Sequence, residues 1–255
     1  MEFEHIPVLL GEVLEGLALK PDGIYVDGTV GGAGHSRQIA SRLTEGGMLI
    51  GLDRDPDAVQ VATARLAGLP AKVVHCNYSE LQTALDSLGI GKVDGVLLDL
   101  GVSSHQLDEA ERGFSYHQDA PLDMRMSQEG LSAKDIVNTW DQGEITKILW
   151  EYGEEKFAPT IAAAIVKARE TAPIETTGEL VKIIDKTVPS SNKKFGHPAK
   201  RIFQAIRIEV NHELDALENG LRQAIELLNV GGRVCVISFH SLEDRIVKNI
   251  FKEVT

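Results

Sequence analysis

The alternation of short apolar runs with helical patterns in the N-terminal part most constrains the fold of this chain. GIYVDG, GMLIGLD, AKVVHCN and VDGVLLDLG are apolar on both faces and close on polar or glycine residues, as buried parallel strands do. In the helical segments between them, Ser36 and Asp55 are candidate N-caps, and Gly46 and Gly68 are candidate stops. Such alternation predicts right-handed βαβ units and a parallel sheet with flanking helices, an α/β fold.

The pattern changes from about Asp108 to Lys200, where amphipathic helical segments are separated by Gly, Pro and Thr. A long helical pattern, PAKRIFQAIRIEVNHELDALENGLRQAIELL, follows and ends at NVGGRVCVISFH, which predicts another buried strand. We therefore expect an α/β core of residues 1–107 and 201–255, whose sheet resumes near Arg233. Residues 108–200 are expected to form an inserted all-helical domain.

Composition limits the compartment and the partners. Cys76 and Cys235 are isolated, so neither a zinc site nor a disulfide framework is predicted, and we expect a reducing, cytoplasmic location. No apolar stretch approaches the ~20 residues of a membrane span, and the acidic start does not resemble a secretory signal. The net charge of −12 argues mildly against a nucleic-acid partner.

A basic stretch interrupts this acidic composition. From Lys186 to Ile208 the sequence contains six Lys or Arg residues and no Asp or Glu. Such a run is either a solvated surface loop or a surface that contacts phosphates. Composition alone leaves both interpretations open.

The glycine-rich stretch VDGTVGGAGHS, from Val26 to Ser36, follows the first predicted strand and opens a helix. A bare backbone at a helix start can approach a nucleotide ligand. No Lys-Ser/Thr pair follows the glycines, which excludes a Walker P-loop, and their spacing is a poor match to GxGxxG. S-adenosylmethionine has no phosphates, so a glycine turn that binds it would need no basic residue.

Polar residues end the other predicted strands. Asp53 can accept both hydroxyls of a ribose, although an aspartate there can also cap the next helix. Tyr78 can flank an adenine or pack in the core. Asp99 ends the fourth strand at the edge where open α/β sheets bind ligands. Together these features favour methyl transfer from S-adenosylmethionine; a nicotinamide-dependent oxidoreductase or a catalytically silent RNA-binding protein are the alternatives.

Several blocks of the sequence resemble the ribosomal RNA small-subunit methyltransferase H family (MraW/RsmH). They are DGTVGGAGHS, LDRDPDA, DGVLLDLGVSSHQLDEAERGFSY, DAPLDMRM, YGEEKFA, HPAKRIFQAIRIEVNHEL and ISFHSLEDRIVK, and they span nearly the whole chain in the expected order. The resemblance implies a class I S-adenosylmethionine-dependent methyltransferase, with a Rossmann-like sheet and a helical insert after the fourth strand. Its implied activity is methylation of the exocyclic N4 of a cytosine in the decoding centre of 16S rRNA.

The resemblance also implies roles for individual residues. The implied cofactor contacts are Ala33, Gly34, His35, Asp53, Tyr78, Asp99 and Gln106. Asp99 is in addition the candidate catalytic residue. The helical insert is expected to recognise RNA, and the candidate RNA contacts are Lys193, Lys194, Lys200, Arg201 and Arg207.

Further expectations concern partners and chain length. The implied partner is small-subunit rRNA, within an assembled or late-assembling subunit, and no metal or membrane is implied. Whether the protein is a monomer or a dimer stays open. The family usually continues past ISFHSLEDRIVK with the last strands of the sheet, which we therefore expect to be missing after Thr255.

Overall fold

The computed structural model describes residues 7–189 and 196–254, which separate into two compact units. One unit combines Met1–Gly101 with Leu214–Thr255, and the other is Val102–Glu213. The expected boundaries were 107/108 and 200/201, so the second one differs most. The reason is the helix Ala199–Asn211, whose Ile202, Phe203 and Ile206 are buried in the core of the second unit.

A five-stranded parallel sheet forms the centre of the first unit. Its strands are Ile24–Asp27 (β1), Met48–Asp53 (β2), Ala71–His75 (β3), Val93–Asp99 (β4) and Leu228–Ile237 (β5). Their order across the sheet is β3-β2-β1-β4-β5. The strand order therefore reverses between β1 and β4, the topological switch point at which open α/β sheets bind ligands.

Helices cover both faces of this sheet. They are Leu10–Leu17 (α1), Gly34–Ala40 (α2), Pro56–Arg65 (α3), Leu81–Ser87 (α4), Glu213–Glu226 (α11) and Ser241–Glu253 (α12). Neighbouring strand residues alternate between the two cores: Tyr25 packs with α1, α2 and α3, whereas Val26 packs with α4, α11 and α12. Burying one such side chain contributes about 1.5–3 kcal/mol, so the pattern fixes the register of each strand.

The second unit consists of helices. They are Ser104–Asp108 (α5), Ala133–Thr139 (α6), Gln142–Glu151 (α7), Ala158–Thr171 (α8), Thr177–Thr187 (α9) and Ala199–Asn211 (α10). Ser132, Asp141 and Thr176 start α6, α7 and α9, and each forms a capping box with an acidic residue three positions later. These reciprocal bonds satisfy N–H groups that a helix start leaves without partners. No helix among residues 7–189 and 196–254 is long and apolar enough to cross a membrane.

Local structure differs from the sequence prediction at two helices and a strand. Ser36 lies inside α2, whose N-cap is Ala33, whereas Asp55 does cap α3 by accepting the Asp57 N–H. The long helical pattern is broken at His212, where a left-handed backbone (φ 49°) separates α10 from α11. The fifth strand begins at Leu228, before the expected Arg233. Leu228 pairs with Val93 and Arg233 pairs with Gly95, so the register shifts at a bulge that contains the two glycines of β5.

Candidate active site

Three aspartates lie at the carboxyl ends of neighbouring strands in the first unit. Asp27 ends β1, Asp53 ends β2 and Asp99 ends β4. Because the strands are parallel and adjacent, their ends meet at one edge of the sheet, on both sides of the switch point. The structure thus brings together Asp53 and Asp99, which the sequence predicted, and adds Asp27, which it did not. The signal for Asp27 was the same one, an aspartate that ends an apolar strand.

Asp27 fixes the glycine turn. Its carboxylate accepts the Ser36 hydroxyl at 2.7 Å and the Thr29 N–H at 3.1 Å, and only 1% of the residue is exposed. Burial raises the pKa of Asp27, while the hydrogen bonds from Ser36 and Thr29 and the nearby His35 ring lower it. The aspartate therefore joins β1 to α2 and holds the turn in one conformation.

The turn itself leaves little room for side chains. Ala33 is in the left-handed region (φ 62°), which costs free energy for any residue with a Cβ. A Cβ on Gly34 would lie 2.7 Å from Pro7 Cγ, and one on Gly28 would lie 2.6 Å from Leu98 Cδ2. Packing within the protein therefore already requires these glycines, whatever ligand the turn binds.

Asp53 is tied to the turn by two backbone bonds. Its Oδ2 accepts the Gly31 N–H at 2.9 Å, and its Oδ1 accepts the Asp55 N–H at 2.9 Å. Burial raises the pKa of Asp53 to about 6, against the effect of those two bonds and with the effect of the negative charges of Asp55 and Asp27. Each carboxylate oxygen has a second lone pair, so the residue retains acceptor capacity for a ribose.

His35 and Asp99 face each other at the switch point. The His35 Nε2 lies 2.8 Å from the Val8 carbonyl, and its Nδ1 lies 3.7 Å from Asp99 Oδ2. Asp99 Oδ1 is shielded from solvent and has no hydrogen-bond partner among the described residues. Burial raises the pKa of Asp99 to about 6; His35 lowers it, and the charges of Asp27 and Glu243 raise it further. A buried acceptor without a partner costs about 1–3 kcal/mol and indicates a place where a ligand donor binds.

Tyr78 and Gln106 hold other positions. The Tyr78 ring packs against Gly220 of α11, where an added Cβ would lie 2.4 Å from its Cδ2, and the residue is half-buried. Gln106 belongs to the helical unit and completes the capping box of α5: its side chain accepts the Ser103 N–H at 3.1 Å. Cofactor contacts by these two residues stay predictions.

The segment after β5 carries polar residues to which the sequence assigned no role. Glu243 is 2% exposed and accepts the Phe239 N–H at 2.8 Å. His240 caps α12 through its Nδ1, and its Nε2 lies 3.1 Å from Glu243 Oε1, outside hydrogen-bonding geometry. Phe239 is 59% exposed. The block ISFHSLEDRIVK was the available signal, but it does not distinguish site residues from helix caps.

The candidate RNA contacts divide into three groups. Lys193 and Lys194 lie outside the described residues. Lys200 and Arg201 are exposed at the start of α10, beside a groove of about 380 Å³ that Lys156 also lines. Arg207 is paired with Glu213 at 2.7 and 3.0 Å and only 15% of its side chain is exposed, which argues against the predicted RNA contact without testing it. Its guanidinium is engaged within the helical unit and does not present a free charge to phosphates.

The acidic edge favours one of the ligands that the glycine turn allowed. Three carboxylates at the ends of β1, β2 and β4 repel the phosphates of a dinucleotide and suit a sulfonium cation with a ribose. Asp99 Oδ1, which has no hydrogen-bond partner among the described residues, is an acceptor that a donor of such a ligand can bind. Dinucleotide-binding folds share this strand order, and the acidic edge favours a class I S-adenosylmethionine-dependent methyltransferase among them.

The chain belongs to the MraW methylase family, whose model matches residues 2–255. A relative from Clostridioides difficile (strain 630), named ribosomal RNA small subunit methyltransferase H, is 55% identical over 256 residues, 99% of this chain and 82% of that protein. A relative of the same name from Brevibacillus brevis is 56% identical over 257 residues, with the same coverage. Among solved structures, an rRNA methylase from Streptococcus thermophilus matches with a TM-score of 0.32 and 16% identity, over 46% of this chain and 69% of that one.

Family membership confirms the resemblance, the methyltransferase fold and S-adenosylmethionine as the cofactor. It removes the nicotinamide-dependent oxidoreductase from consideration, in agreement with the acidic edge.

Proposed function

We propose that this protein transfers a methyl group from S-adenosylmethionine to the exocyclic N4 of a cytosine in the decoding centre of 16S rRNA. The names of its relatives support small-subunit rRNA as the substrate. The observation that carries the choice of an amine is the unpartnered Asp99 Oδ1 at the end of β4, an acceptor that matches an N–H donor.

The chemistry of a cytosine amine gives Asp99 its role. The nitrogen lone pair is delocalised into the ring, so the amine is a poor nucleophile. An Asp99 carboxylate that accepts an amine hydrogen orients the nitrogen and favours a more tetrahedral geometry. With a pKa raised to about 6, Asp99 is ionised at neutral pH and can take the proton that the amine loses. S-adenosylmethionine supplies the methyl group when it is bound.

The cofactor contacts follow from the same edge. Asp53 accepts the ribose hydroxyls with its remaining lone pairs, and Tyr78 lies beside the adenine. The backbone of Ala33 and Gly34 approaches the cofactor, with His35 and Asp99 at its methionine end; the contact predicted for Gln106 stays a prediction. His35 supports Asp99 from the side of Oδ2, which leaves Oδ1 for the amine.

The RNA partner imposes two further conditions. The target cytosine has to leave its stack to reach the sheet edge, which suits an unpaired rRNA segment. Lys200 and Arg201 of the helical unit hold rRNA phosphates and fix the position of that segment. The reaction takes place in the cytoplasm, where small subunits are assembled.

Mass mapping of small-subunit rRNA tests the proposal. Naked rRNA and assembled subunits are incubated with the protein and labelled S-adenosylmethionine, and we expect label at N4 of one cytosine. Label on protein, on DNA or on a ring carbon would contradict the proposal. A C5 methyltransferase needs a nucleophilic cysteine, and the loop DLGVSS after β4 has none.

A further inference from the structure

The residues after β5 lie next to the candidate catalytic residue. Asp99 is the strand partner of Ile237, the last residue of β5, and the Leu100 N–H donates to the Ile237 carbonyl at 3.0 Å. The chain then continues through Phe239 and His240 into α12. The segment therefore starts from the strand end that adjoins Asp99.

One buried carboxylate holds this segment in place. Glu243 accepts the Phe239 N–H with Oε2, and its negative charge acts on Asp99. Its own N–H points to His240 Nδ1 at 3.4 Å. Nδ1 of His240 is thus an acceptor, which places the proton of the neutral ring on Nε2.

Two polar atoms at this place have no hydrogen-bond partner within residues 7–189 and 196–254. They are the acceptor Asp99 Oδ1 and the donor His240 Nε2, and both are shielded from solvent. Glu243 Oε1 lies 3.1 Å from His240 Nε2, close enough for charge attraction but outside hydrogen-bonding geometry. The His240 side chain is only 10% exposed. Buried polar groups in folded proteins almost always have partners, so a donor and an acceptor left over together indicate a ligand with the opposite pattern.

Phe239 supplies an aromatic surface at the same strand end. Its side chain is 59% exposed although its backbone is fixed by Glu243. An exposed aromatic ring on a fixed backbone is a suitable platform for a nucleobase, because every base presents a π face.

We propose that Phe239 and His240 recognise the target cytosine: the Phe239 ring stacks on the base, and His240 Nε2–H donates to its N3 while Asp99 Oδ1 accepts from N4. This inference rests on the proposed function and names the residues that select the base. Cytosine presents an amine donor beside a ring acceptor, which matches Asp99 and His240. Uracil presents a carbonyl and an N–H at the same atoms, and it would face the carboxylate with an acceptor.

A cycle of paired changes tests the role of His240. The target cytosine is replaced by 3-deazacytidine, which lacks the N3 acceptor. The modified rRNA is ligated from synthetic pieces, and it is assembled into subunits if the protein does not methylate naked RNA. The protein change is His240→Asn, which retains a side chain able to cap α12. Each change alone should lower kcat/KM about tenfold, and the two together should lower it no further. Losses that multiply would overturn the contact between His240 and N3.

A crosslinking experiment tests Phe239. Ultraviolet light is applied to the protein bound to rRNA that carries 5-iodocytidine at the target position, and the adduct is located by mass spectrometry. We expect it on Phe239, no adduct there in Phe239→Leu, and an adduct on the tyrosine in Phe239→Tyr, which retains an aromatic ring. An adduct elsewhere, or a Phe239→Leu protein with an unchanged KM for rRNA, would overturn the stacking role.

Two controls separate the outcomes. Binding of S-adenosylmethionine by calorimetry should be the same in wild type, His240→Asn and Phe239→Leu, because the changes lie on the substrate side. The methylated atom is mapped for the wild-type protein first. A methyl group elsewhere than on cytosine N4 refutes the proposed function itself. A methyl group on N4 together with independent losses in the cycle refutes only the base-recognition role.

Discussion

The proposed chemistry depends on two carboxylates, Asp53 and Asp99, and their surroundings set their charge. Asp53 and Asp99 both have pKa values raised to about 6, mainly by burial. Their hydrogen bonds differ: both oxygens of Asp53 accept backbone N–H groups, whereas Asp99 Oδ1 accepts nothing among the described residues. Asp53 therefore has a structural role in the turn, to which the proposed function adds ligand binding, and the same proposal assigns the reacting group to Asp99.

Replacing Asp99 by Asn should stabilise the protein at neutral pH and abolish most methyl transfer. The folded-state pKa of about 6 lies above the value of 3.8 for an unperturbed aspartate, so the folded wild-type protein takes up a proton as the pH falls between these values. The stability of the folded protein therefore increases as the pH falls through that window. The full free-energy cost of the buried charge applies only above about pH 6. We expect Asp99→Asn to raise the free energy of unfolding by about 1–2 kcal/mol at pH 7.5.

Urea unfolding at pH 7.5 and pH 4.5 provides the measurement, with the exposed Asp86→Asn as the control. The advantage of Asp99→Asn should shrink at the lower pH, and Asp86→Asn should show little change at either. A constant difference would show that the charge of Asp99 is not the cause.

Asp53 should determine cofactor affinity. Two hydrogen bonds from a ribose to a charged acceptor contribute about 1.5–3 kcal/mol each, so Asp53→Ala should weaken S-adenosylmethionine binding at least tenfold. The affinity of the wild-type protein should also fall as the pH drops through about 6, because protonation removes the charge of the acceptor.

Calorimetric titration of Asp53→Ala and Asp53→Asn tests this role. Asn keeps one acceptor for the turn N–H groups, so it separates loss of the charge from loosening of the turn. Equal cofactor affinity in all three proteins would rule out Asp53 as the ribose ligand.

Among the elements, the α10–α11 junction shows how the chain passes between its two units. His212 adopts φ 49° and ends α10, and the boundary between the units follows at Glu213/Leu214. Just before it, Arg207 pairs with Glu213, and Asn211 donates to the Met124 carbonyl at 2.7 Å. These side-chain bonds hold the end of α10 inside the helical unit.

Changing His212 to Gly should therefore stabilise the protein. Glycine adopts the left-handed conformation without the penalty of a Cβ, and the His212 side chain is exposed, so little packing is lost. The expected increase in the free energy of unfolding is about 0.5–1 kcal/mol. His212→Val should have the opposite effect, since a β-branched residue is least tolerant of this conformation. Thermal unfolding of the three proteins checks this, and a destabilised glycine variant would refute it.

At the scale of the whole molecule, net charge is a poor guide to the partner. The chain carries −12 overall, and Asp53 and Asp99 at the sheet edge are among its acidic residues. Lys156, Lys200 and Arg201 are exposed around one groove of the helical unit. A protein can thus be acidic as a whole and still contact phosphates through one local surface.

Removing Lys200 and Arg201 should weaken rRNA binding. Each lost phosphate contact lowers the slope of log affinity against log salt by about one unit. The matched control is Lys72→Ala with Lys252→Ala, which removes the same charge from exposed positions of the other unit. Over a salt series, only Lys200→Ala with Arg201→Ala should show a lower rRNA affinity and a weaker dependence of that affinity on salt. S-adenosylmethionine binding should be unchanged in both double variants. Equal effects of the two double variants would mean that only net charge matters.

The sequence by itself determined the elements and most of their limits. Local patterns are enough for this: β1, β2 and β4 are apolar and largely buried, and Asp55 caps α3 as expected. The edge strand β3 is the exception, because Lys72 and His75 are exposed on it. The sequence also predicted the edge at which Asp53 and Asp99 meet, because parallel strands bring their ends together. The signature blocks then identified the family, since they are specific to it.

Only the tertiary structure decided what depends on distant partners. The backbone of His212 breaks a continuous helical pattern, and Arg207 is withdrawn from the basic stretch by Glu213. Asp27 joins the glycine turn through Ser36, and the charge of Glu243 acts on Asp99 because β5, which leads into α12, pairs with β4. These contacts join residues that are far apart in the sequence, so no local pattern predicts them. Burial, which is the main cause of the raised pKa of each aspartate, likewise depends on the folded surroundings.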